Sequence, residues 1–128
     1  MPGSSPTTLY VPPGWPAAVR PPGAPDWERT AVAYLFDCCP ADFRQYAVLK
    51  RHPIVLARFA TESVAAQVRA CGAGLSHCRA GLADLVPPDA LEAATLAWHE
   101  QGAALRRTAR EVALVEDALR GRVFVAKL

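Results

Sequence analysis

The chain has 128 residues, a formal net charge of +2 and an apolar fraction of 52%. One domain is expected at that length, and so small a net charge gives no reason by itself to invoke a nucleic-acid partner. No apolar run approaches the roughly 20 residues that cross a bilayer, and no basic start followed by an apolar core marks a secretory signal, so a cytoplasmic protein without a membrane partner is expected.

Alanine supplies much of the apolar fraction, which favours helices and close packing, and the expected class is all-α. Residues 1–25 hold eight of the twelve prolines. With so many backbone donors missing they form no regular element. Leu9, Tyr10, Val11, Trp15 and Val19 are spaced through the segment, so an extended arm lying on a surface is expected.

Pro25-Asp26 opens a first short helix, 26–38, with Trp27, Ala31, Tyr34, Leu35 and Cys38 at helical spacing. Cys39-Pro40 stops it and starts a second, 41–51, whose inner face is Phe43, Tyr46, Ala47 and Leu49. Lys50, Arg51 and His52 load its last turn with positive charge that suits the helix dipole. Pro53 then begins the first of two long helices, 53–85, and Pro88 begins the second, 88–120, because proline is tolerated at a first helical position. Pro87 disfavours helical geometry at Val86, so the chain reverses there.

Each long helix carries a seven-residue seam. On the first it is Val64, Val68, Cys71, Leu75, Cys78, Leu82 and Leu85. On the second it is Leu91, Thr95, Trp98, Gly102, Leu105, Ala109, Val112 and Leu119. A tight reversal pairs Leu82 with Leu91, Cys78 with Thr95, Leu75 with Trp98, Cys71 with Gly102 and Val68 with Leu105. A slip by one heptad would set Cys78 against Gly102. The expected architecture is a long antiparallel helical hairpin, coiled-coil-like, with the two short helices packed at its base on Ile54, Leu56, Phe59, Leu114 and Val115. Gly121 caps the last helix, and 122–128 follow as a docked extended tail, with Val123 and Val125 alternating against Phe124.

The strings Pro-Pro-Gly-Ala-Pro-Asp-Trp-Glu (21–28), Leu-Lys-Arg-His-Pro-Ile-Val-Leu-Ala-Arg-Phe-Ala (49–60) and Leu-Val-Glu-Asp-Ala-Leu-Arg-Gly (114–121) carry a resemblance across most of the chain. It resembles a family of small actinobacterial helical proteins with no assigned function. The resemblance implies no catalytic residue, cofactor or partner.

Cysteines and histidines are the natural metal suspects, but Cys71 and Cys78 are about 10 Å apart along one helix, beyond disulfide reach, and both fall in the seam. Adjacent Cys38 and Cys39 bridge only with strain, so reduced thiols in a reducing compartment are expected. His77 points away from the seam, and neither Cys-x-x-Cys nor His-x-x-x-His spacing occurs, so no metal and no cofactor is expected. His99-Glu100 starts like a zinc-protease motif, yet Ala103 stands where the second histidine belongs. No nucleophile elbow or glycine-rich phosphate loop is present, and an enzyme is not expected.

Two surfaces remain. Small residues border the seam on one flank, and helical glycines cost about 1 kcal/mol each relative to alanine, which suggests close approach by something. Gly74, Gly81, Ala94 and Gln101 are the candidate partner-binding groove, to be filled by another protein, a second copy of the chain or the N-terminal arm. Lys50, Arg51, Arg106, Arg107 and Arg110 are candidate nucleic-acid contacts, although the interspersed acids make the surface mixed in sign. Arg79 and Glu92 flank the seam at similar height and could pair to help set the register. The leading expectation is a non-enzymatic interaction or assembly module that can associate with itself. The alternative is an accessory nucleic-acid-binding protein using basic helix faces, and a third is a thiol or metal sensor.

Overall fold

Two long helices set the frame. The computed structural model describes residues 9–127, in which α1 (Trp27–Asp37), a 3-10 turn (Ala41–Gln45), α2 (Ala47–Arg51), α3 (Pro53–Leu82) and α4 (Pro88–Leu119) follow in order. α3 and α4 pack against each other as a helical hairpin, and among the described residues there is no strand. Residues 1–8 of the expected arm and residue 128 of the expected tail lie outside the described residues.

Both long helices begin on proline, and Pro87 is extended (φ −60°, ψ 150°), which turns the chain between them. α3 stops at Leu82, three residues earlier than expected. The amides of Leu85 and Val86 both bond to the Leu82 carbonyl, the first at 3-10 spacing, so the chain leaves the helix through a tight turn ahead of the proline pair. Leu85 is left 76% exposed and is no part of the seam.

The register is the tight one. The Trp98 indole N–H donates to the Cys71 carbonyl at 2.7 Å, and the Cys71 thiol lies 3.7 Å from the Trp98 carbonyl. A Cβ built on Gly102 would come 3.0 Å from the Cys71 sulfur. Cys71 therefore faces Gly102, and the one-heptad slip is excluded. Arg79 and Glu92 form no ion pair among the described residues, and the Trp98–Cys71 bond pins the helices instead.

Burial is concentrated at the open end of the hairpin. Leu56, Ala57, Ala60 and Val64 of α3 meet Val112 and Val115 of α4, and α1 adds Ala31, Leu35 and Phe36, while α2 adds Leu49. Of the five residues expected to carry the short helices, Leu56 and Val115 lie in this core and Phe59 meets the second short segment, while Ile54 stays outside the core and Leu114 lies against Gly14 of the arm. Ile54 is 45% and Phe59 46% exposed, because the inward stripe of α3 runs through 56, 57, 60 and 64 and leaves them on its outer side. Phe59 nonetheless carries the segment 41–51 as expected, meeting Phe43 edge-on at 6.0 Å.

The expected single helix 41–51 is two pieces. Tyr46 is extended (φ −91°, ψ 107°) between the 3-10 turn and α2, which places Phe43 against Phe59 and Leu49 in the core, and leaves Tyr46 and Ala47 exposed. Residues 9–25 of the N-terminal arm are a run of turns rather than an extended strand. Backbone bonds from Trp15 to Pro12, Val19 to Pro16 and Ala24 to Pro21 fold it, and it buries Val19 and Pro16. The Trp15 indole N–H donates to the Val19 carbonyl at 2.9 Å, and the Arg20 amide donates to the Thr30 hydroxyl of α1 at 3.0 Å.

Gly121 ends α4 with φ +99°, and the Gly121 and Arg122 amides bond to the Ala118 and Asp117 carbonyls, the paired closure of a Schellman motif. Among the described residues beyond it, Arg122 pairs with Asp117 at 2.9 Å and Phe124 docks 6.1 Å edge-on from Trp15, while Val123 and Val125 are 80% and 73% exposed.

Candidate interaction surfaces and a cleft at the base

The outer half of the hairpin has two layers and no third. α3 has no buried residue after Val64, and Val68, Cys71, Leu75, Leu91, Thr95, Trp98 and Leu105 are all half-buried. Cys78, expected inside the seam, is exposed, as a thin pair of helices cannot cover it. Two helices bury only the line along which they touch.

Gly74 and Gly81 lie one heptad apart on the same flank of α3, as do Ala94 and Gln101 on α4. A Cβ on Gly74 would sit 3.2 Å from the Trp98 indole, so this glycine makes room for the ring. Around Gly81 there is open space, and Ala94 and Gln101 are exposed. Gln101 shares a shallow groove of about 390 Å³ with Gln67, Ala70, Ala97 and Trp98. No Asp, Glu, Lys or Arg lines it. The described part of the N-terminal arm lies elsewhere, with Gly14 close to Leu114 of α4.

The basic residues form two separate groups. Lys50 and Arg51 sit exposed at the end of α2, just before α3 begins. Arg106, Arg107 and Arg110 are exposed on α4, and because Cys71 faces Gly102, Arg106 stands level with Gln67, about 20 Å along α3 from its start just beyond Arg51. None of the five takes part in an ion pair among the described residues.

Two further constellations arise only in three dimensions. The first is Glu116 on α4, 5% exposed. Its carboxylate accepts from Arg120 at 2.8 and 3.0 Å and lies 2.9 Å from the Thr61 hydroxyl and 3.4 Å from Arg58 of α3. Burial pushes its pKa up, but the bonds from Arg120 and Thr61 and the charges of Arg58 and Arg120 together outweigh that, and the carboxyl stays below its ordinary value.

The second is a cleft of about 630 Å³ between α1 and the hairpin, lined by Tyr34, Cys38, Cys39, Gln67, Thr108 and Glu111 among others. The Tyr34 oxygen is fully buried and has no hydrogen-bond partner. Cys38 and Glu111 face it without reaching bonding geometry, and burial, followed by those two neighbours, drives the phenol well above its ordinary pKa. Burial likewise pushes the Cys38 thiol up to about 11 and raises Cys39. Both thiols are held neutral, the opposite of an activated nucleophile.

The sequence marked Tyr34 only as a residue on a helix face, and Glu111 only as one charge among many. Their meeting depends on where α1 lands on the hairpin, which no local spacing encodes. Among the described residues no three His, Cys, Asp or Glu side chains converge as metal ligands, and no helix is long and apolar enough to cross a membrane. Comparison with protein-family models, with curated proteins and with solved structures finds no match.

Proposed function

We propose that this chain is a non-enzymatic interaction or assembly module whose working surface is the uncharged flank of the outer hairpin, centred on Gly74, Gly81, Ala94 and Gln101, with a second copy or another protein as the partner. The observation that carries the reading is the missing third layer: a half-buried seam, flanked on one side by small, uncharged residues, over half the length of the longest elements. Small side chains let a partner helix approach closely, so dispersion contacts accumulate without a large side chain to displace. Between Gln67 and Gly81 the flank runs about 20 Å, the length of four helical turns.

Light scattering on the full chain across the micromolar range, with affinity capture from its native host in parallel, tests the reading. The expected result is a mass above the 13.7 kDa monomer or a stoichiometric co-purifying protein, lost in Gln101→Arg. A strict monomer that captures nothing, or an association indifferent to Gln101→Arg, overturns it.

A second reading, accessory nucleic-acid binding, draws on the five exposed cations at Lys50, Arg51, Arg106, Arg107 and Arg110, which lack ion-pair partners among the described residues. Counterion release makes its signature a salt-dependent affinity whose slope falls when the arginines are replaced. Gel-shift titration at several salt concentrations decides between the two.

A further inference from the structure

We propose that this chain associates head to tail: the acidic tip of one copy's hairpin, led by Leu85, seats in a basic-rimmed apolar pocket at the base of the next copy. The contact goes beyond the flank centred on Gly74 and Gln101 and uses neither residue.

The pocket lies where the segment 41–51 meets the start of α3. Phe43, Tyr46, Val48, Leu49 and Phe59 line about 200 Å³ of it, and none of the five is charged. Cavities of that order take one ring-sized apolar group. Tyr46, Val48 and Phe59 are each about half exposed, a cluster of large apolar side chains left in water. From Phe43 to Thr61 the chain carries Arg44, Lys50, Arg51 and Arg58 and no acid, with Asp42 and Glu62 bounding the stretch. Arg44 is paired with Asp37, and Arg58 with Glu62 and Glu116. Lys50 and Arg51 are exposed and belong to no ion pair among the described residues.

The tip has the opposite make-up. From Ala80 to Trp98 the chain carries Asp84, Asp89 and Glu92 and no Lys or Arg. All three acids are exposed, and none belongs to an ion pair among the described residues. Asp84 stands just past the end of α3, where the helix dipole disfavours a negative charge, so the fold gives no reason for an acid there. Beside it Leu85 is 76% exposed, the most exposed leucine among the described residues. An exposed leucine among acids matches an apolar pocket among cations: burial removes apolar surface from water on both sides, and the charges steer and orient the encounter.

The tip cannot reach its own pocket. α3 alone has 30 residues, about 45 Å of helix between the two. Each docking therefore leaves one free tip and one free pocket, and copies add in an open row rather than closing as a symmetric pair. One leucine and two or three exposed charge pairs make a small contact, with a Kd on the order of 100 µM or weaker, so it is unpopulated at the lower concentrations that test the flank.

Sedimentation velocity on the full chain from about 50 µM to about 1 mM tests the proposal, at low salt and again at roughly 0.3 M salt, where exposed charges are screened. The mean mass should climb past twice the 13.7 kDa monomer without levelling, and salt should lower it. Leu85→Ser and the double variant Lys50→Glu/Arg51→Glu alter only exposed side chains and should keep the wild-type melting temperature. Each should weaken the contact by about tenfold or more. Mixed in equal amounts, the two variants should pair through the intact pocket of the first and the intact tip of the second, and stop at the dimer. Gln101→Arg should grow as wild type does. A mass that stays monomeric throughout, wild-type growth that ends at the dimer, undiminished growth of either variant alone, a mixture that remains monomeric, or growth abolished by Gln101→Arg overturns the proposal.

Discussion

Glu116 ties the hairpin to itself at its base, and its bonds decide how the fold responds to acid. Its neighbours Arg58 and Arg120 have side chains 46% and 52% exposed, so water can take over their charges when the carboxylate is removed. Glu116→Ala should therefore cost about 1–2 kcal/mol, less than the full penalty for breaking a buried pair, as read by urea denaturation. Because the folded-state pKa lies below that of the unfolded chain, the contribution is fully present above the unfolded carboxylate range. It drains away as pH falls through the folded value. Wild type should lose stability on acidification across that window more steeply than Glu116→Gln, and coincident slopes would remove Glu116 from the account.

The thiols give an independent check on the base. Cys38, pushed up to about 11 by burial, stays protonated near neutrality, whereas Cys78 is exposed on the outer hairpin. Iodoacetamide under native conditions should label Cys78 well before Cys38, with the order read by peptide mass mapping. A raised folded-state pKa also means that Cys38 stabilises the fold below the ordinary thiol range. That contribution falls as pH rises from the unfolded thiol value toward 11.

Among the elements, α3 and α4 carry glycines whose different surroundings predict opposite outcomes. Gly72 and Gly81 have no neighbour within 4 Å of an added Cβ, so alanine at either should raise stability by up to about 1 kcal/mol through helix propensity alone. Gly102 is the contrary case. An added methyl would meet the Cys71 sulfur at 3.0 Å on a helix already pinned by the Trp98–Cys71 bond, so Gly102→Ala should destabilise despite the gain in propensity. Adding Cys71→Ala should restore it, and thermal melts of the three single variants and this double decide the matter.

The same elements show what could be read in advance and why. Seven-residue spacing is a local property of the chain, so the Cys71–Gly102 register and the proline-led starts of both long helices were legible from the residues themselves. The depth of burial was not. A seam states which side chains share a line, but the number of layers covering that line depends on chain elsewhere, and here two helices leave Cys78 and Leu85 outside. The break at Tyr46 has the same origin: helical spacing continues through it, and the placement of Phe43 on Phe59 and Leu49 in the core interrupts it. The Tyr34–Glu111 cleft was the least legible feature, since it joins residues 77 positions apart by the docking of a short helix.

At the scale of the whole molecule, the gradient of burial divides the chain into a base that holds the fold and an outer hairpin free to serve as a surface. The base gathers the described part of the arm, α1, α2 and the paired ends of α3 and α4 around an apolar core, whereas the outer hairpin is held mainly by its seam and the Trp98 bond. Local opening should follow that gradient, with amide exchange protection highest around Leu56–Val64 and Val112–Ala118 and falling toward the proline turn. Removing one heptad from each helix, residues 72–78 and 95–101, preserves the pairing of facing positions and rotates each stripe by only about 20°. The shortened chain should keep a cooperative unfolding transition, because every buried contact of the base survives. It should also lose any self-association or capture that the full chain shows, because Gly74, Trp98 and Gln101 go with the deleted heptads. A shortened chain that fails to fold would mean the outer hairpin supports the base, and one that folds and still associates would move the working surface to the base.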